Sequence, residues 1–293
     1  MFDDTVLRTH LLDLLHELRD KGIDLILGGG YGLYLKQKHL EGEGLTTLLK
    51  PEVWPPPRAT NDLDLFLRVE VITDTGRMQV LRTALERLGY QPHVEYMQFV
   101  KALGPGKQVK VDLLVGPDVL KTDPSKVRIK KPRVGPRTKT DLHAYLTEEA
   151  LAIEESTERI SVEGFLSTGE PFAAAVLVPK AFTYMLMKLH AFRDRKGDSQ
   201  RDMGRHHALD LYRVVAMLTE KEYESAKQLG AEHQDAEAVR EARRIVASDF
   251  STVDGVGVIR LREHVLFSDA TGLQEFLSVL GEVFPGVGKG TLV

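Results

Sequence analysis

The sequence predicts an α/β (α+β) protein of two lobes. Residues 1–140 read as a small mixed sheet carrying helices, and residues 141–293 as a mainly helical lobe that begins with a β-hairpin. Three observations lead there. In the first half, leucine stripes at helical spacing alternate with short apolar runs bounded by glycine and proline. Beyond Pro179 the strand-like runs stop and helical periodicity takes over. No period of roughly 20–50 residues repeats, which excludes a solenoid. With 293 residues, 42% apolar and 28% charged, the chain has the composition of a globular protein of about two domains.

Taken in order, leucines at 7, 11, 14, 15 and 18 form the first helical stripe, with Asp3, Asp4 and Thr5 available for capping. "IDLILGGG" reads as a strand over residues 23–27 that ends in glycines, and "YGLYLKQKHL" continues as a helix. Residues 41–57, where Trp54 precedes three prolines, read as an irregular insertion. "LDLFLRV" is the next strand. A helix over residues 78–88 follows, with Val80, Leu81, Ala84, Leu85 and Leu88 on one face. "EYMQFVKAL" and "QVKVDLLVG" pair as a hairpin turned at Gly104-Pro105-Gly106.

Residues 121–139 carry Lys121, Lys126, Arg128, Lys130, Lys131, Arg133, Arg137 and Lys139 against a single acid, Asp123. Pro124, Pro132, Gly135 and Pro136 predict a loop there. In the second lobe, "RISVEGFLS" and "EPFAAAVLV" form a hairpin turned at Thr168-Gly169. Helices are expected near 180–195, 205–218, 220–229, 234–248 and 271–283.

Composition narrows the function classes. The absence of cysteine excludes disulfides and thiolate metal sites and fits a reducing compartment. There is no basic segment leading into an apolar core, and no apolar run of about 18 residues. The expectation is a cytoplasmic protein without a membrane partner. A net charge of −4 argues against a surface wholly devoted to nucleic acid. The basic segment is the exception: Lys126, Arg128, Lys130, Lys131 and Arg133 are candidate contacts to a phosphate backbone. A solvated linker is the plainer alternative.

Two glycine-rich stretches fail as motifs. "GGGYG" at 28–32 does not satisfy the dinucleotide-binding fingerprint, and "GVGKG" at 286–290 lacks both the earlier glycine and the following hydroxyl of a P-loop. His206-His207 has no partner at zinc-site spacing and reads as a helix surface or a phosphate contact.

"RATNDLDLFL", residues 58–67, is more informative. Asp62 and Asp64 lie two apart in an apolar strand, so both carboxylates face one side. Their repulsion is costly unless a cation lies between them. A strand end in water would relieve it too, so the pair gains meaning from its company: glycines before it, Arg58 and Thr60 beside it, and Asp112 in "VKVDLL" after it.

This ordered set resembles the nucleotidyltransferase superfamily of the polymerase-beta type, whose signature is a glycine-rich turn and helix, Asp-x-Asp on the next strand, and a later third carboxylate. "RATNDLD" resembles more closely the R-x-T-x-D-[IL]-D of AbiEii-like and MenT-like nucleotidyltransferases, toxin components of bacterial toxin–antitoxin systems. The resemblance covers residues 23–215 and implies a later helical lysine, Lys188 in "MLMKLHAF", and an acid beyond it. Asp210 in "HHALDLY" is favoured for that acid over Asp202. The chain departs from the family in having Gly28-Gly29-Gly30 without a serine, and a long stretch between Gly30 and Arg58.

The resemblance implies a nucleotidyltransferase-type fold and a Mg²⁺-dependent transfer of a nucleoside monophosphate from an NTP, with one or two ions and Mn²⁺ as a possible substitute. Asp62, Asp64 and Asp112 would hold metal, with Asp112 alternatively accepting a proton. Gly29 and Gly30 would let phosphate approach the backbone, and Arg58 and Thr60 would support the turn or touch phosphate. Lys188 would neutralise the leaving pyrophosphate, oriented by Asp210. By the same resemblance the acceptor is RNA, specifically the tRNA 3′ end, and a cognate antitoxin is an expected partner. Rival readings are a small-molecule acceptor such as an aminoglycoside, a protein hydroxyl, or a non-catalytic nucleotide- or RNA-binding module.

Overall fold

The computed structural model describes residues 4–268 and 272–286. From residue 287 on, the "GVGKG" stretch lies outside these, as do Asp3 of the expected cap and residue 271 of the last expected helix. The chain forms two compact units, Met1–Lys36 with Arg58–Pro179, and Gln37–Pro57 with Lys180–Val293. The expected boundary near residue 140 differs from this division. The reason is long-range pairing, which brings the hairpin of residues 157–179 into the sheet of the first unit.

In the first unit, α1 (Thr5–Glu17) buries Leu7, Leu11, Leu12 and Leu14. Asp4 does not cap it; its carboxylate instead accepts from Arg8 and from the Tyr31 hydroxyl at 3.1 Å. The buried strand β1 (Leu25–Leu27) leads into α2 (Gly29–Glu43), whose residues from Gln37 onward count with the second unit. Then come β2 (Asp62–Leu67), the single turn α3 (Val69–Ile72) and α4 (Thr75–Arg87). Helix α4 starts where the Asp74 carboxylate accepts the Arg77 N–H at 3.0 Å. It buries Met78, Leu81, Ala84 and Leu85, so Met78 rather than Val80 completes its inner face.

The remaining strands are β3 (Gln91–Val94), β4 (Gln98–Gly104), β5 (Lys107–Val115), β6 (Val127–Lys130), β7 (Arg133–Pro136), β8 (Ala144–Leu146), β9 (Thr157–Phe165) and β10 (Pro171–Pro179). They join β1 and β2 in one mixed sheet of order β6-β7-β8-β5-β2-β1-β10-β9, with the β3–β4 hairpin attached to β5. β1 runs antiparallel to β2 and parallel to β10, and β2 runs parallel to β5. The segment expected as a basic loop is in part a hairpin, β6–β7, which pairs Arg128 with Gly135 and Lys130 with Arg133. Its strands are only four residues long, which hides their alternation among the prolines.

The second unit holds α5 (Ala181–Arg195), α6 (Arg205–Ala216), α7 (Glu220–Glu232), α8 (Glu237–Asp249), α9 (Val256–Arg262) and α10 (Leu273–Val283). Residues 41–57 are not wholly irregular. Helix α2 persists to Glu43, a 3₁₀ turn spans Pro51–Val53, and the buried Trp54 indole donates to the Leu49 carbonyl at 2.9 Å. Leu48 and Leu49 donate backbone N–H bonds to Leu218 and Ala216, which anchors the segment to the end of α6. No helix among the described residues is long and apolar enough to cross a membrane.

Candidate active site

The strand pattern explains how acids come to line one face. In β5, Val109, Val111, Leu113 and Val115 are buried, which turns Lys110 and Asp112 to the other side. In β2, Leu63 and Leu65 are buried and Asp62 and Asp64 alternate with them. Parallel pairing sets Asp62 opposite Lys110 and Asp64 opposite Asp112. Three carboxylates and one ammonium therefore occupy the corners of a square on two adjacent strands.

The glycine turn closes on this square. Gly28 donates its N–H to the Asp64 carbonyl at 2.8 Å, and its own carbonyl accepts the first helical bond of α2, from Gly32. Gly29 has φ +60, and a Cβ there would lie 1.7 Å from Asp64 Oδ2. A Cβ on Gly30 would lie 3.1 Å from an Arg58 guanidinium nitrogen and 3.7 Å from Thr60 Cβ. The Thr60 hydroxyl in turn accepts from the Asp62 N–H at 3.4 Å. Gly29, Gly30, Arg58, Thr60, Asp62, Asp64 and Asp112 are thus one assembly, at a helix N-terminus that favours negative charge.

Two residues that the sequence reading missed belong to the same face. Gln98 on β4 lies opposite Asp112 and donates its amide to Asp112 Oδ1 at 2.6 Å. Lys110 holds its ammonium 3.8 Å from Asp62 Oδ1, an atom that is buried and has no hydrogen-bond partner. Strand alternation two positions before Asp112 marked Lys110; Gln98 depends on cross-strand register. The Asp112 carboxyl is pushed up from the ordinary carboxylate range, first by burial and then by the charge of Asp62, against the lowering pull of the Gln98 bond and Lys110.

No group of three or more histidines, aspartates and glutamates forms a ready-made metal cage among the described residues. The donor set nevertheless suits Mg²⁺ or Mn²⁺. These hard ions take a few carboxylate oxygens and complete their shell with water and phosphate. The unbonded buried oxygen of Asp62 is the kind of atom such an ion would satisfy.

Lys188 and Asp210 lie in the second unit, on α5 and α6. The Lys188 ammonium meets Asp210 Oδ2 at 2.8 Å, and Arg213 reaches Asp210 Oδ1 at 3.4 Å while donating to the Gln37 side chain at 2.6 Å. Asp210 is fully buried and Lys188 only 6% exposed. Asp202 does different work: its carboxylate accepts the His206 N–H at 2.6 Å at the start of α6. His206 lies exposed on the surface of α6, as expected, and its ring has partners there. Its Nδ1 is 2.9 Å from His264 Nε2, while His264 Nδ1 accepts the Leu266 N–H at 3.1 Å. With His264 Nδ1 accepting that backbone bond, its proton sits on Nε2 and is donated to His206 Nδ1, which also lies 3.4 Å from Asp202 Oδ2.

The basic hairpin is partly neutralised. Lys131 pairs with Glu148 at 2.6 Å, Arg133 with Glu95 at 3.3 Å, Lys121 with Asp118 at 2.6 Å and Lys139 with Asp141 at 3.2 Å. Lys126 acts on the nearby Asp123 carboxylate, and no ion pair engages Arg128 or Lys130 among the described residues. β6 is an edge strand, where lysine also discourages unwanted strand pairing. A cavity of about 650 Å³ in the second unit, lined by Leu45, Leu48, Leu218, Tyr223 and Val279, contains none of the expected site residues.

No protein-family model matches the chain, and no curated protein does. Among solved structures it is similar to the antibiotic-resistance factor ANT(2'')-Ia, whose solution structure is described as revealing substrate-regulated conformation dynamics. The identity is 16%, the TM-score is 0.38, and the match covers 80% of this chain and 98% of that one.

Proposed function

We propose that this protein is a divalent-metal-dependent nucleotidyltransferase that moves a nucleoside monophosphate from an NTP to an acceptor hydroxyl. The observation that carries this reading is the closure of a glycine turn and helix N-terminus directly on Asp64, with Asp62 and Asp112 on the same face. Phosphate and carboxylates do not share such a place without a cation. Asp62, Asp64 and Asp112 would hold Mg²⁺, which supplies charge neutralisation at the triphosphate.

The chain's own groups then have distinct tasks. The backbone N–H groups of Gly29 and Gly30 would face phosphate, and the lack of side chains there would permit close approach. The acceptor hydroxyl oxygen forms a bond to the α-phosphorus, while the bond from that phosphorus to the oxygen bridging to the β-phosphate breaks. Pyrophosphate carries away the electron pair. Asp112 either completes the metal site or, where it is not a ligand, takes the hydroxyl proton. For Lys188 we propose neutralisation of the leaving pyrophosphate, with Asp210 orienting its ammonium.

We further propose RNA as acceptor, in the form of the tRNA 3′ end, so that the protein acts as a growth-arresting toxin held in check by an antitoxin. Arg128 and Lys130 on an edge hairpin, with Lys126 just before it, support a phosphate-backbone contact. Engagement of Lys131 and Arg133 by glutamates supports the second reading, a small-molecule acceptor. Incubation with Mg²⁺, total tRNA and each α-labelled NTP separates them. Label on tRNA, lost in the Asp62→Ala/Asp64→Ala protein, is the expected result. Transfer to an aminoglycoside but not to tRNA would replace the RNA reading with the second one.

A further inference from the structure

We infer that Lys110 is a resident counter-ion of the carboxylate face, occupying in the metal-free protein the electrostatic place that the divalent ion takes, so that it weakens metal binding and gives way to it. The inference rests on the nucleotidyltransferase reading and adds a residue and a sign to it.

The square on β2 and β5 holds three acids and one base. Side chains directly opposite on paired strands lie close enough for like charges to be destabilising. Asp64 and Asp112 form such a like-charged pair, and Asp62 adds its own charge to Asp112. For Asp62 and Asp112, Lys110 is a compensating group: it pairs with Asp62 at 3.8 Å and also pulls the Asp112 carboxyl down. At 3.8 Å the contact is an ion pair without a hydrogen bond, and Asp62 Oδ1 stays buried and unbonded. The ammonium thus neutralises this oxygen without saturating it.

Lys110 is free to leave. Its side chain is 30% exposed, and a lysine stem carries several rotatable bonds. One univalent charge held at 3.8 Å without a hydrogen bond compensates Asp62 only in part, so a divalent ion in direct contact with the same oxygen gains more than the ammonium loses. Both cations compete for Asp62.

The test is Mn²⁺ titration followed by electron paramagnetic resonance, without nucleotide, on the wild-type, Lys110→Met, Lys110→Arg and Asp62→Asn proteins. Loss of one unit charge at this separation in partly solvated surroundings should tighten Mn²⁺ binding about tenfold in Lys110→Met. Lys110→Arg should stay near wild type, and Asp62→Asn should bind more weakly. Thermal denaturation gives a second readout: metal-free Lys110→Met should melt below wild type, and Mn²⁺ should raise its Tm by more. Wild-type binding with unchanged or weaker binding by Lys110→Met overturns the inference and leaves the nucleotidyltransferase reading standing. No Mn²⁺ binding by any of the four proteins, with or without ATP, overturns both.

Discussion

Two charged clusters in this molecule obey opposite rules. In the first unit, Asp62, Asp64 and Asp112 project from neighbouring strands to a partly exposed face, like charges side by side, with one lysine among them. In the second unit, Lys188, Asp210 and Arg213 are packed between helices, opposite charges in contact and almost wholly buried. Buried charges persist only when they are paired and hydrogen-bonded. In the helical cluster each charge has an opposite charge in contact, Asp210 serving both Lys188 and Arg213. In the strand cluster, by contrast, Asp64 lies beside Asp112 and the Asp62 Oδ1 atom stays unbonded next to Lys110, an arrangement that suits a cation and a polyanion. The difference predicts which variants lose chemistry and which lose fold.

Removing Asp62 and Asp64 together should lower nucleotidyl transfer by about 10⁴-fold, or ~5 kcal/mol of transition-state stabilisation. The melting temperature should hold or rise, because repulsion is relieved. Loss of folding in this double variant would show that the strand acids are structural after all. Asp210→Ala should behave in the opposite way. Stripped of their shared carboxylate, Lys188 and Arg213 become buried excess charge, at a cost of about 3–5 kcal/mol that urea denaturation will measure. A fully stable Asp210→Ala protein would erase the contrast.

Gly29→Ala sharpens the geometry of the first cluster. Left-handed backbone alone costs about 1–2 kcal/mol for a residue with a Cβ, and the added carbon collides with Asp64. Gly30→Ala, with no such backbone demand and a movable guanidinium tip as its neighbour, should change stability by less than about 0.5 kcal/mol. Equal effects in the two variants would count against the close fit of the turn on Asp64.

The smallest effect concerns pH. The folded Asp112 carboxyl is raised by burial and by Asp62, so the native protein holds this proton more tightly than the unfolded chain. Its ionisation therefore costs stability as pH rises through the window from the ordinary carboxylate value up to the folded one. Asp112→Asn should raise the Tm slightly at pH 7, with the gain vanishing in acid below that window. Gln98→Leu removes a bond that lowers the same pKa, so the acid limb of the rate profile should move to higher pH.

What could be read from the sequence was local. Period-two alternation in "DLDLFL" and "VKVDLL" turned Asp62, Asp64 and Asp112 away from the apolar strand faces, while Lys188 and Asp210 were singled out by the family resemblance alone. Pairing between distant strands was hidden. β1 meets β10 through Ile26 and Leu177, and nothing in either short apolar run names its partner. That pairing moved the hairpin of residues 157–179 into the first unit. Gln98 was invisible for the same reason, since its contact with Asp112 depends on register between β4 and β5. In the basic segment, proline and glycine signalled a loop, yet four-residue strands formed around the turn. Helix α9, "VGVIRLR", escaped because its glycine and β-branched residues argue against a helix, and burial of Val258 and Leu261 overrides them.

The most direct measurement of the central claim follows two labels on one nucleotide. The protein would be incubated with Mg²⁺, total cellular RNA and small-molecule extract, and either α- or γ-labelled NTP. Nucleotidyl transfer predicts the α-label on an acceptor and the γ-label released as pyrophosphate, both abolished by Asp62→Ala/Asp64→Ala. Appearance of the γ-label on an acceptor, or no turnover of any NTP, would contradict it.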